Sequence, residues 1–168
     1  MEASSAEGRG GYLDLSRLSP GELLGMGAGL LLLVSLFMPW FSTSDTNHNS
    51  TIESAGIGAG ASANAFQTFK TLDWLLVLAV TAPFVLSWII ARGHKLTWKP
   101  GEVTMVVGMT AIVLILCNGI ILGRPEPGVE ISLSIGYFVG LIASAGLLVA
   151  GYLRQAFYTT ARKPPGVI

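Results

Sequence analysis

The stretch 19–41 sets what this chain can become. From Leu23 to Phe41 it carries no charged residue, and about nineteen residues at about 1.5 Å of helical rise reach roughly 28 Å, close to the hydrocarbon thickness of a bilayer. Backbone polar groups in hydrocarbon must be satisfied within the chain, so the segment reads as a membrane-spanning helix. Its start is marked: Ser19 is a capping residue, Pro20 suits the first helical position, and Glu22 completes a capping box. A cleaved secretory signal is the competing reading, with Ser42 and Ser44 as small residues near a cut. The apolar run is longer than a signal core of about 7 to 15 residues, and Arg9 and Arg17 ahead of it are balanced by Glu2, Glu7 and Asp14, so the helix is read as retained.

Once this segment lies in a membrane, the later apolar runs count as further crossings, at about 74–91, 103–123 and 131–153, after the first at about 23–41. The composition agrees: 51% of the 168 residues are hydrophobic and 12% charged, too few charges for the surface of an ordinary soluble domain. The predicted fold class is all-α, a polytopic four-helix up-down-up-down transmembrane bundle over 19–153, with tails 1–18 and 154–168. Pro83 is predicted to kink the second crossing, and the turn from Arg124 to Glu130 to make the third and fourth helices antiparallel neighbours. The outer loop 42–63 is rich in Ser, Thr, Asn, Gly and Ala and poor in large apolar residues, which predicts a segment either flexible or ordered by a partner. Asn64 with Gln67 marks a helix start beyond it.

Charge placement gives the orientation. With both termini inside, the inner segments hold eight cations, Arg9, Arg17, Arg92, Lys95, Lys99, Arg154, Arg162 and Lys163, against two outside, Lys70 and Arg124. This predicts a multi-pass protein of the cell membrane with cytoplasmic termini. A formal net charge of zero offers no basic field to nucleic acid.

Two sets of residues stand out as candidate sites. Gly21, Gly25 and Gly29 recur on one face of the first helix, and Gly136, Gly140 and Ser144 on one face of the fourth, spacings that let a second helix backbone approach closely. The partner of such a face is either another helix of the same chain or a second copy. Phe66, Phe69 and Asp73 precede or open the second crossing at helical spacing, and exposed aromatics there fold back onto the bundle, enter the headgroups or meet another protein.

Catalytic and metal-binding patterns are missing. His48 and His94 fall on opposite sides of the predicted membrane, no His-Glu-x-x-His run exists, and Cys117 is the single cysteine, so no disulfide forms within one chain. Asp45 to Ser50 imitates the opening of a calcium loop, but Ser50 stands where glycine is needed and Gly56 where the bidentate glutamate belongs. No cofactor and no metal are predicted. No ionisable residue lies deep within a crossing, where a transport pathway would keep one.

Met38-Pro39-Trp40-Phe41 at the end of the first crossing, a polar loop, then Asn64-Ala65-Phe66-Gln67 and Asp73 opening the second, resemble a group of small uncharacterised four-helix integral membrane proteins of high-GC Gram-positive bacteria. The likeness covers most of the membrane part. It implies the four-helix layout and brings no activity, cofactor or site residue. The layout is also similar to that of claudin-type proteins, but the first loop has neither a cysteine pair nor a Gly-Leu-Trp signature. The expected function is therefore non-enzymatic: a structural or accessory subunit of a membrane assembly, in contact with the lipid bilayer and with a membrane protein partner or a homo-oligomer. The alternative is a small transporter or channel working as an oligomer. A polar, water-accessible stripe between helices would mark the alternative, and a dry interior with an apolar outer face the first reading.

Overall fold

A computed structural model describes residues 18–92, 101–126 and 129–161, with side chains as far as 157. The readings made for the tail 1–17, the basic loop 93–100, the turn residues 127 and 128 and the end from 162 lie outside the described residues. Among the described residues four helices are long and apolar enough to cross a membrane, Pro20–Phe37, Leu72–Ala91, Glu102–Ile121 and Ile135–Phe157. The chain is thus a mostly helical membrane protein, consistent with the all-α class, and it also carries a small three-stranded sheet that the sequence did not predict.

The first helix, α1 (Pro20–Phe37), begins at the sequence signal, with the Glu22 carboxylate accepting the Ser19 N–H at 2.5 Å. It stops short of the predicted end at 41. Pro39 disfavours helical backbone in the residue before it, and Met38 is extended at φ −77° and ψ 161°. Residues Pro39–Thr43 form strand β1 instead. Strand β2 (Ser62–Asn64) pairs with it antiparallel on one side, and strand β3 (Ile131–Leu133) does so on the other, with Phe41 opposite both Ala63 and Leu133. A strand within the predicted outer loop and another at the predicted start of the fourth crossing both serve to pair the backbone of β1, which would otherwise present unsatisfied groups above the helices.

The loop 42–63 is accordingly ordered by its own chain. Thr43 Oγ1 donates to Gly58 O at 2.8 Å and accepts the Ala61 N–H at 2.9 Å. Ser50 is fully buried, its hydroxyl accepting the Ser44 N–H at 2.9 Å and donating to Glu130 O at 2.5 Å, which ties the loop after β1 to the segment ahead of β3. Ile52 pairs with Ile57 across a 3-10 turn at Glu53–Ala55 and is also fully buried. The loop has few large apolar residues, and those it has are spent inward, so hydrogen bonds from Ser and Thr supply the rest of its order.

After β2, Asn64 caps a single helical turn, α2 (Ala65–Thr68), exchanging bonds with Gln67 in both directions at 2.9 and 3.0 Å. The chain then breaks, so Phe69 and Asp73 do not continue the helix of Phe66. Helix α3 (Leu72–Ala91) starts anew with Pro83 inside it. Helix α4 (Glu102–Leu116) runs into a π-helical turn at Cys117–Ile121, and α5 (Ile135–Ala161) follows β3. Helix α1 packs against α5 and α3, and α4 against α5 and α3, with the seam between α3 and α4 the least closely packed of the four. Leu32, Leu36, Leu76, Ile115 and Leu147 are fully buried between them, while Leu30, Leu78, Val106 and Ile142 face outward more than half exposed. An apolar outer face is the stable arrangement where the solvent is acyl chain.

Candidate functional site

Three places carry the residues of interest: the helix contacts, the aromatic layer under the sheet, and a polar cluster at the far end of the helices. The small residues of α1 face their own chain. A Cβ on Gly21 would stand 3.0 Å from Ala150 O, and one on Gly29 3.0 Å from Pro83 Cγ and 3.2 Å from Val80 O. Gly25 is looser, its nearest neighbour Pro83 Cβ at 3.5 Å. On α5, Gly136 lies under β1, where a Cβ would meet Pro39 O at 2.7 Å, and Gly140 accommodates the Trp40 indole at 3.1 Å. Ser144 is fully buried and donates to Gly140 O at 2.8 Å. A closer contact than any of these falls on α4, at Gly108, where a Cβ would stand 2.5 Å from Leu148 N. A lone glycine in an apolar run gave no repeat by which to find it.

The aromatic layer joins sheet to helices. Trp40 is fully buried, donates its indole N–H to Ser35 O at 2.7 Å and meets Phe69 and Tyr137 edge-on at 5.9 and 5.7 Å. Phe66 packs on Phe37 at 5.1 Å and Phe69 on Phe41 at 5.7 Å, so both phenylalanines are engaged within the chain and half-buried. Asp73 is 4% exposed in the first turn of α3, where the helix dipole favours a carboxylate, and its Oδ1 accepts the Trp74 N–H at 2.9 Å. Tyr137 does more than pack. Its hydroxyl donates to Ile115 O at 3.0 Å, a carbonyl just before the π turn, and its ring occupies the space a side chain on Gly119 would need. Asn118 leaves helical backbone there, and its Nδ2 donates to Leu114 O at 2.9 Å. At the π turn the side chains of Asn118 and of Tyr137 from α5 thus bind carbonyls of the last turn of α4.

At the opposite end, Glu22 of α1 and Arg154 of α5 form an ion pair at 2.7 Å, their side chains 2% and 5% exposed. In the sequence Glu22 marks a helix start and Arg154 is an inner-side cation, and nothing there joins them, because a pairing across 132 positions leaves no local pattern. The closeness of Gly21 to Arg154 N and Cβ, 3.1 Å from an added Cβ, is what lets the guanidinium reach the carboxylate. Beside the pair lies a cavity of about 10 Å³ lined by Gly25, Pro83, Ser87, Thr104 and Ala150, about the size of one water molecule. The Ser87 hydroxyl is buried and has no hydrogen-bond partner among the described residues. Among the described residues no three of His, Cys, Asp and Glu come together as a metal-binding group. No protein-family model, curated protein or solved structure matches the chain.

Proposed function

We propose that the protein is a non-enzymatic integral membrane protein that acts as a structural or accessory subunit of a membrane assembly. In this reading it is an up-down-up-down bundle in the cell membrane, with the sheet outside and both termini in the cytoplasm. The orientation is supported by the cations, since Arg92 and Arg154 lie at the end away from the sheet whereas Lys70 and Arg124 lie at the end near it. One observation carries the functional reading: the interior between the helices is filled mainly by Leu, Ala, Gly, Val and Ile, its buried Ser35 and Ser144 hydroxyls donate to carbonyls of their own helices, and the polar groups at the far end gather around a space for a single water. A conducting or carrying protein needs polar groups that line a path. What remains to be recognised is the ordered outer cap. Its aromatics are turned inward, so a membrane partner meets its polar upper surface, where Asp45, His48 and Glu53 are exposed.

The test has two arms. Purified protein in liposomes is expected to pass no ions above protein-free vesicles, and cross-linking in native membranes followed by purification is expected to return one membrane protein in fixed ratio. Asp45→Lys combined with Glu53→Lys should lose that protein while the helices and their insertion remain intact. Ion flux dependent on the protein would establish the transporter alternative, and a chain that purifies alone from cross-linked membranes would remove the accessory reading.

A further inference from the structure

The seam between α3 and α4 differs from the other three helix contacts. It opens into a crevice of about 340 Å³ whose walls are Leu75, Leu78, Val106, Val107 and Leu114, with Ala79 and Ala111 as its floor. Thr110 is the one polar side chain along it. The crevice is a continuation of the lipid-facing surface: Leu78 and Val106 on its rim are 64% and 57% exposed, as are their neighbours Trp74 and Met109 at 63% and 56%, whereas Ala111 at its base is 1% exposed. An apolar recess at that depth has acyl chains as its solvent.

We propose that this crevice holds one phospholipid acyl chain from the leaflet on the side of the sheet, kept as a bound lipid. Three features favour a single chain. First, the position fits one leaflet: along α4 the lining runs from Val106 to Leu114, about 12 Å at the helical rise, and half a hydrocarbon core is about 15 Å. It lies toward the sheet, because Leu75 is in the first turn of α3, which starts there. Second, the space is ample for one chain: at about 10–15 Å³ for each water-sized group, 340 Å³ takes on the order of 25 such groups, enough for the methylenes of a whole acyl chain. Third, the width excludes a helix. Helices α3 and α4 still approach within 8 Å between Cα atoms, and a helix with its side chains is about 10–12 Å across, so it would bridge the rim and leave the floor unfilled. A flexible methylene chain reaches Ala79 and Ala111 and gains the dispersion contacts that an unfilled groove forfeits.

The full chain, reconstituted in phosphatidylcholine vesicles doped with phosphatidylcholine bearing a mid-chain diazirine, is illuminated and its labelled positions are mapped by peptide mass spectrometry. Labelling of Ala79, Val107 and Thr110 should exceed that of equally lipid-facing Leu30 and Ile142 several-fold. Ala79→Phe, which places a ring on the floor, should remove the excess and leave the rest of the belt labelled as before. Even labelling around the helices of the unsubstituted protein overturns the proposal, whatever the variant does. So does an Ala79→Phe protein with unchanged helix content that keeps the excess. A single cysteine at Val106, in a Cys117→Ser background, that joins two copies in high yield would assign the seam to a second chain and reject the lipid.

Discussion

Exchanging Glu22 for glutamine keeps the shape of the side chain and removes the charge that faces Arg154. The pair is 2.7 Å long and its side chains are 2% and 5% exposed, so almost no water is at hand to take over when the carboxylate is lost. Breaking a buried ion pair by removing one member costs about 3–5 kcal/mol, because the other charge stays where it was. The glutamine oxygen can still accept the Ser19 N–H that Glu22 accepts at 2.5 Å, which places the expected loss at the lower end, about 3 kcal/mol. For a chain of this size about 2–4 °C of melting temperature follows each kcal/mol, so Glu22→Gln should melt about 6–12 °C lower. The assay is thermal unfolding of the purified protein in detergent, followed by tryptophan fluorescence. Adding Arg154→Met to Glu22→Gln should recover most of the loss, since an apolar side chain in place of a buried pair is often neutral or stabilising. A single variant within about 2 °C of the native protein, or a double variant that melts lower than either single one, would refute the view that the far end is held by a desolvated charge pair.

The same melting assay separates two kinds of glycine. Gly108→Ala puts a methyl group 2.5 Å from backbone Leu148 N and should cost about 1–3 kcal/mol by overpacking, whereas Gly25→Ala meets its nearest neighbour at 3.5 Å and should be close to neutral; equal losses would mean that the helices move apart freely. Tyr137→Phe deletes the donor to Ile115 O and should cost about 0.5–1.5 kcal/mol by removing a buried hydrogen bond; an unchanged melting temperature would show that the π turn does not depend on that hydroxyl.

The sequence by itself determined the four crossings and where α1 begins, because a bilayer demands long uninterrupted apolar runs and because Ser19, Pro20 and Glu22 act within one helical turn. It also marked Asn64 and Gln67 as a local start, though it could not say that α2 stops after one turn. Helix ends were less legible. Pro39 carried the stop signal for α1, yet Trp40 and Phe41 are as apolar as the crossing, and hydropathy alone cannot tell a buried strand from the last turn of a helix. The sheet was settled only by tertiary structure: β1, β2 and β3 come from three distant parts of the chain, are five residues or shorter, and form because each supplies the hydrogen bonds another lacks. The same holds for the order of the outer loop, which rests on Ser50 reaching Glu130 and not on any apolar pattern. The Glu22 to Arg154 pair, the seat of Tyr137 against Gly119, and the open seam of α3 and α4 are likewise properties of contact between segments far apart in sequence. Periodicity records which face of a helix is apolar, but it does not record what that face will meet.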